Sequence, residues 1–156
     1  MAVVNLTEKQ KNLIERLGVA HEELGLPPAA ARIVALLLVS DDYELSFESI
    51  HETLNISKSS ASTAISLLLT MDRIEYFTRH GERKRYFRVK VANSEEQVNE
   101  RLDQMLQLST ILREIIDQRP ASTAEFNEKL ESLIGFLDFI RQELPVLFKR
   151  WQARKQ

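Results

Sequence analysis

Apolar residues recur every three to four positions along most of the chain, which predicts a mainly α-helical protein. The spacing changes once, where residues 74–78 and 85–89 form two short runs rich in β-branched and aromatic side chains. Such runs are typical of strands, and Gly81 between them supplies a tight turn. We therefore expect a mainly α fold with one two-stranded β-hairpin placed between helices.

The first two helices can be bounded from the residues at their ends. Thr7 and Gln10 form a capping box that starts a helix ending at Gly25. Prolines then start a second helix over about 28–39, and its Ala-, Leu- and Val-rich composition predicts a central position. Arg32 is the charge within this second helix, and we expect it to form an internal ion pair.

Residues 45–70 predict two further helices joined by a tight turn. Ser46 and Ser57 are candidate N-caps of these helices. Asn55 stands in the turn, where the backbone needs a positive φ that asparagine tolerates. Asp72, after the second helix, can adopt the same left-handed conformation. This order of elements is typical of a helix-turn-helix.

The second helix of this pair has two distinct faces. Its predicted buried face consists of apolar residues at helical spacing: Ala61, Ala64, Ile65 and Leu68. Its opposite face carries polar residues: Lys58, Ser59, Ser60, Ser62, Thr63 and Ser66. Nearly all of these side chains are short and can donate and accept hydrogen bonds, which suits a helix lying in the major groove of DNA. The same pattern also fits a helix with an ordinary polar face toward solvent.

The predicted hairpin is the most basic segment of the chain. Residues 79–90 of it carry the cations Arg79, Arg83, Lys84, Arg85, Arg88 and Lys90, and a single acid, Glu82. A basic hairpin directly after a helix-turn-helix is typical of a winged helix, whose wing contacts phosphates and the minor groove. An edge hairpin kept soluble by positive charge is the alternative, and the order helix, helix, basic hairpin favours the wing.

These residues resemble the helix-turn-helix of MarR-type winged-helix regulators, and the GbsR-like branch in particular. The resemblance is carried by Ile50, Leu54, Asn55, Ile56, Ser57-Lys58-Ser59, Ala61 and Leu68. Two separated blocks, 24–33 and 139–151, are similar to the same branch. The resemblance implies a dimeric regulator of transcription. It also implies a pocket for a small-molecule effector whose binding releases DNA.

The last third of the chain predicts two long helices. A capping pattern at Asn93 starts the first, and a capping box at Ser122 starts the second after Pro120. Pro145 should kink or break the second helix. On the first helix, one apolar stripe fits residues 98, 102, 105, 112 and 116, and a wider one adds residues 108, 111 and 115.

Two explanations account for such broad apolar stripes. The terminal helices could pack on each other and on the winged helix in a larger monomer, or they could bury a surface against a second copy. We expect the homodimer, which the resemblance also implies. Two-fold symmetry matches a palindromic operator, with recognition helices about one DNA turn, ~34 Å, apart.

Composition removes several other classes of protein. The formal net charge of the 156 residues is −2, so any nucleic-acid site must be local. The absence of cysteine removes disulfides, thiolate catalysis and cysteine metal sites. The chain shows no signal-peptide pattern and no apolar run long enough to span a bilayer. We therefore expect a cytoplasmic protein with no membrane partner.

Catalytic and cofactor motifs are also missing from the sequence. His21, His51 and His80 lie on three different predicted elements, without the local spacing of a metal site. The four glycines form no phosphate-binding or dinucleotide-binding pattern. We expect neither an enzyme nor a cofactor or metal.

The sequence thus predicts a repressor of transcription that binds double-stranded DNA. We expect three regions. Residues 1–27 form an N-terminal helix that contributes to dimerisation, residues 28–92 form the winged helix-turn-helix, and residues 93–156 form a C-terminal helical dimerisation region. The expected DNA contacts are Ser57, Lys58, Ser59, Ser60, Ser62, Thr63, Ser66, Arg79, Arg83, Lys84 and Arg85. The alternative function is that of a winged-helix adaptor that binds proteins and has no affinity for DNA.

Overall fold

The computed structural model describes residues 3–91 and 94–155, and most of them are helical. The chain divides into two compact units, Met1–Ser94 and Glu95–Gln156. The elements of the first unit are α1 (Glu8–Glu23), α2 (Pro28–Val39), β1 (Leu45–Ser46), α3 (Phe47–Thr53), α4 (Lys58–Thr70), β2 (Ile74–Thr78) and β3 (Arg85–Val89). They are followed by α5 (Ser94–Gln118), a 3-10 turn (Ala121–Thr123) and α6 (Ala124–Ala153).

The predicted ends of α1 are confirmed. The Thr7 hydroxyl accepts a hydrogen bond from the Gln10 N–H at 3.2 Å, and the Gln10 side chain accepts one from the Thr7 N–H at 2.9 Å. Two otherwise unsatisfied N–H groups at the start of the helix are thereby paired. After the helix, Gly25 has a φ of 92°, which glycine adopts without strain.

The second helix, α2, lies at the centre of the first core, as its composition predicts. Seven of its 12 residues are buried, and both α1 and α4 pack against it. Arg32 is the charged residue of this helix, and its guanidinium donates to Glu15 at 3.1 Å and to Glu22. The expected internal ion pair is therefore confirmed, and it joins α1 to α2.

The helix-turn-helix has the predicted local geometry. The Ser46 hydroxyl caps α3, and the Ser57 hydroxyl caps α4 by accepting the Ser60 N–H at 3.1 Å. Asn55 in the turn and Asp72 after α4 have φ values of 51° and 54°. Both are left-handed conformations that Asn and Asp tolerate better than other non-glycine residues. The chain can therefore turn sharply at both ends of α4.

The hairpin of β2 and β3 forms as predicted, but it belongs to a three-stranded sheet. The order is β1-β3-β2, and both pairings are antiparallel. In the added pairing, Leu45 lies opposite Phe87, and both side chains are buried. The strand β1 has only two residues, too few to show an alternating pattern. It attaches the wing to the start of α3.

In the second unit, α5 and α6 pack through a small apolar cluster. Its buried members are Leu106, Leu137 and Leu144, with Leu102, Leu112, Ile140 and Phe148 packed against them. The stripe predicted on α5 is therefore partly wrong, because Val98 and Met105 are exposed while Leu106 and Ser109 are buried. The helix has two apolar faces, and periodicity alone does not tell which of them meets α6.

The predicted start of α6 is also wrong. Ser122 does not cap this helix, because it lies in the 3-10 turn, and α6 begins after Thr123 with no side-chain capping bond. The Thr123 hydroxyl donates instead to the carbonyl of Pro120 at 3.0 Å. The Arg119 guanidinium donates to Asn127 at 2.8 Å and so fastens the turn to α6. The predicted start of α5 at Asn93 lies outside the described residues.

Proline does not interrupt α6. The helix is continuous from Ala124 to Ala153 with Pro145 inside it, so the predicted break is wrong. Proline lacks an N–H and cannot bond to the carbonyl four residues earlier. Leu144 and Phe148, on either side of it, belong to the cluster that packs α6 against α5. This packing holds the helix together across the missing bond.

Candidate nucleic-acid interface

The two faces of α4 are divided as the sequence predicts. Ala61, Ala64, Ile65 and Leu68 are all buried, with at most 5% of each residue exposed. On the opposite side, Lys58, Ser59, Ser62, Thr63 and Ser66 are exposed and Ser60 is half-buried. Because α4 packs on both α2 and α3, a rigid scaffold presents this polar face to solvent.

The side chains of the polar face differ in whether another described residue binds them. Ser57 and Ser59 share a hydrogen bond of 3.0 Å between their hydroxyl oxygens. Within residues 3–91 and 94–155, by contrast, the hydroxyls of Ser62 and Thr63 make no hydrogen bond and Lys58 has no acidic partner. These groups can therefore bind an external ligand without breaking an internal contact.

The turn of the wing carries three cations that form no ion pair with a described residue. Arg83, Lys84 and Arg85 are exposed, and no carboxylate in the described part of the chain pairs with them. The Arg85 guanidinium lies over the Tyr76 ring, 5.4 Å from its centroid. Three positive charges are thus clustered on a hairpin directly beside α4.

The wing, α4 and the start of α3 border one cleft of about 470 Å³, to which α3 contributes Phe47 and the carboxylate of Glu48. Ser62 and Ser66 line it from α4, and Arg83, Lys84 and Arg85 line it from the wing. Residues about 20 positions apart in the sequence therefore come together on one surface. This surface combines hydroxyl groups with positively charged side chains. Both can donate hydrogen bonds to phosphates and to base edges.

The fourth predicted wing contact, Arg79, differs from the other three. Its guanidinium donates to Glu44 at 3.2 Å and lies 4.0 Å from the centroid of the Tyr86 ring. The hydrogen bond with Glu44 raises the pKa of Arg79 above its ordinary value. Glu44 also accepts from Arg88 at 3.2 Å. Glu44 is the main residue near the site that sequence analysis missed, because no local pattern distinguishes it from other acids in loops.

A second concavity lies at the other side of α4. It is an open groove of about 820 Å³ between the start of α2 and α4. Pro28, Ala29, Leu54 and Leu67 supply apolar walls, and Thr63 of the polar face reaches its edge. An apolar molecule in this groove would therefore contact the helix that carries the candidate DNA contacts.

Residues 3–91 and 94–155 contain neither a metal-binding cluster nor a membrane-spanning helix. No group of three or more His, Asp or Glu side chains is placed to hold a metal ion there. No helix in the same part of the chain has the length and hydropathy needed to cross a bilayer.

Comparison with known proteins bears on the fold. No protein-family model and no curated protein matches this chain. A solved structure described as a transcriptional regulator is similar over 93% of this chain and 99% of its own, with 23% identity and a TM-score of 0.65. Two structures of the adhesin competence repressor AdcR from Streptococcus pyogenes have 19% identity and TM-scores of 0.41, covering 82% and 90% of this chain and 93% and 98% of theirs. The first of these likenesses shows that the chain has a mainly helical winged-helix fold of the kind found in a transcriptional regulator.

Proposed function

We propose that this protein is a sequence-specific regulator of transcription, acting as a repressor on double-stranded DNA. The observation that carries the proposal is the cleft between α4 and the wing, where the hydroxyls of Ser62 and Ser66 and three cations that pair with no acid of the described chain line one surface. An adaptor that binds proteins has no need for such a cluster. The fold, shared with a transcriptional regulator, supports the same conclusion.

The two elements would divide the work of binding. Lys58, Ser59, Ser60, Ser62 and Thr63 on α4 would meet base edges and nearby phosphates, with Ser57 and Ser66 at the ends of this row. Arg83, Lys84 and Arg85 would contact phosphates across the cleft. Phosphate contacts supply affinity and register, whereas base contacts supply sequence preference.

We propose that the protein binds DNA as a homodimer. Its second unit exposes many large apolar side chains: Val98, Met105, Leu108, Ile111, Ile115, Phe126, Leu133, Phe136, Phe139, Val146, Leu147 and Trp151. Soluble monomers rarely leave so much apolar surface in contact with water. A second copy would cover it, and α1 would contribute from the first unit through Leu13 and Val19, which are also exposed.

The groove beside α2 is our proposed place for an effector. Its apolar walls suit a small apolar molecule, and its edge includes Ser59, Ser60 and Thr63 of α4. A ligand there would compete with DNA for these side chains.

The proposal can be tested with DNA and two charge-removing variants. The DNA is a duplex that the protein selects from a random-sequence library, and the reference is a scrambled duplex of the same composition. Lys58→Ala and Arg83→Ala should each weaken binding about tenfold, and Arg83→Ala should lower the salt slope by about one unit. Both residues are exposed, so the fold should be unchanged.

Lys9→Ala is the matched control, because Lys9 is an exposed cation on α1 with no acidic partner among the described residues. It should bind like the parent. If Lys58→Ala and Arg83→Ala also bind like the parent, the proposed contacts are wrong. If the parent selects no duplex at all, the adaptor function becomes the better explanation.

A further inference from the structure

The acid Glu44 joins the wing to the rest of the first unit. Glu44 lies directly before β1, and only 17% of its side chain is exposed. One carboxylate oxygen accepts from Arg79 and the other from Arg88, each at 3.2 Å. Arg79 follows β2, whereas Arg88 lies within β3. A single side chain thus ties both arms of the hairpin to the segment that leads into α3.

The guanidinium groups of Arg79 and Arg88 also lie over aromatic rings. The Phe77 and Tyr86 rings are stacked, with centroids 5.9 Å apart. Arg88 lies 5.3 Å from the Phe77 centroid, and Arg79 lies 4.0 Å from that of Tyr86. Each guanidinium is therefore fixed both by a carboxylate and by a ring face.

The cations of the wing consequently fall into two groups. Arg83, Lys84 and Arg85 face the cleft beside α4 and have no acidic partner in the described chain. Arg79 and Arg88 are bound to Glu44, and Arg88 also donates to Glu75 at 2.6 Å. The side chains of Arg79 and Arg88 are 48% and 41% exposed, but their charge is already neutralised by carboxylates, so a phosphate would gain less from them than from the first group.

We propose that Glu44 limits the sequence-independent strength of DNA binding, because it neutralises Arg79 and, together with Glu75, Arg88, and because it fixes the wing beside α4. The inference rests on the proposed function. Every cation that reaches a phosphate strengthens binding to all DNA sequences alike. It adds no information about bases. Keeping these two cations neutralised therefore lowers the affinity for every duplex by about the same factor and leaves the contacts of α4 unchanged.

The first test is Glu44→Gln, which keeps the shape of the side chain and removes its charge. Binding is measured against salt concentration with the selected duplex and with the scrambled duplex. Release of the Arg79 guanidinium should steepen the salt slope on scrambled DNA by about one unit, at roughly 0.9 per phosphate contact, because Arg88 stays paired with Glu75. The affinities for the selected and the scrambled duplex should rise by about the same factor, so that their ratio changes little.

Glu82→Gln is the control for charge. Glu82 accepts a hydrogen bond of 2.5 Å from the Tyr86 hydroxyl, and it forms no ion pair with an arginine among the described residues. This variant changes the net charge of the wing by the same amount without releasing a guanidinium. It should alter the salt slope much less than Glu44→Gln. Equal effects of the two variants would overturn the proposal.

The second test introduces Arg79→Gln into the parent and into the Glu44→Gln variant. In the parent, the slope on scrambled DNA should stay the same, because Arg79 is already occupied. In the variant, it should fall by about one unit. A lower slope in the parent would overturn the proposal even if Glu44→Gln does not fold.

The outcomes separate this inference from the proposed function. A parent that selects no duplex contradicts both. A parent that selects a duplex but shows no coupling between Glu44 and Arg79 contradicts the inference alone.

Discussion

Ser109 is a polar residue at the centre of the apolar contact between α5 and α6. It is 1% exposed, and its hydroxyl donates to Asp138 at 2.8 Å while accepting from Arg141 at 2.7 Å. Arg113 completes the group by pairing with Asp138. Because all of these groups have partners, the cluster fixes how the two helices are aligned without leaving a buried polar atom unpaired.

This cluster predicts a pH dependence of stability. The hydrogen bond from Ser109, helped by Arg113, lowers the pKa of Asp138 in the folded protein. A carboxyl whose pKa is lowered by folding stabilises the protein above its unfolded pKa, about 4, and loses this effect as the pH falls through the folded value. Asp138→Asn should therefore lower the melting temperature at pH 7 and flatten its decrease in acid.

Thermal unfolding followed by circular dichroism between pH 2 and 7 measures this effect. Asp117→Asn is the matched control, because Asp117 is an exposed acid of α5 with no ion pair among the described residues. It should behave like the parent. A pH profile of Asp138→Asn that runs parallel to the parent's would show that the cluster does not contribute.

At the level of elements, Pro145 destabilises α6, and a substitution can remove this effect. Pro145 is exposed inside a continuous helix, and proline in a helix interior is less favourable than alanine by about 3 kcal/mol. Pro145→Ala should restore one backbone hydrogen bond and raise the free energy of unfolding by about 1–3 kcal/mol. Urea denaturation measures this change.

Gly135→Ala in the same helix is the reference for helix propensity alone. A methyl group at Gly135 meets no other atom within 4 Å, so the gain should be about 1 kcal/mol. Destabilisation by Pro145→Ala, with a normal gain for Gly135→Ala, would mean that the ring itself makes a contact that the protein needs.

Some of these elements could be predicted from the sequence alone, and others could not. The ends of α1, the turn at Asn55 and both strands of the hairpin follow from local chemistry, and all were predicted. The strand β1 and the role of Glu44 depend on residues about 40 positions away, and no local pattern reveals such partners. On α5, the packing face was misassigned because both faces are apolar. The DNA contacts themselves stay a prediction.

For the whole molecule, the exposed apolar side chains of α5 and α6 predict the oligomeric state. Stable protein interfaces bury about 1,200–2,000 Å² in total, and charges at their centre are strongly unfavourable. Phe139→Glu combined with Leu147→Glu should therefore convert a dimer to a monomer. Sedimentation velocity measures the mass, and the selected duplex should then bind at least tenfold more weakly.

Lys149→Glu is the control on the same helix, since Lys149 is already charged and exposed. It should leave the dimer intact. A parent that sediments as a monomer at micromolar concentration would contradict the proposed homodimer, and the apolar surface would then need a different partner.

The short side chains on α4 also have a consequence for how the protein could change its targets. A hydroxyl group rotates to act either as a donor or as an acceptor. Ser62 and Thr63 would therefore give α4 little preference for one base over another. Replacing one of them by arginine or asparagine would add a preference for guanine or adenine on a scaffold whose buried face is untouched. In the proposed complex with DNA, α4 would therefore make few base-specific contacts, and a single substitution on its polar face would be enough to change the preferred sequence.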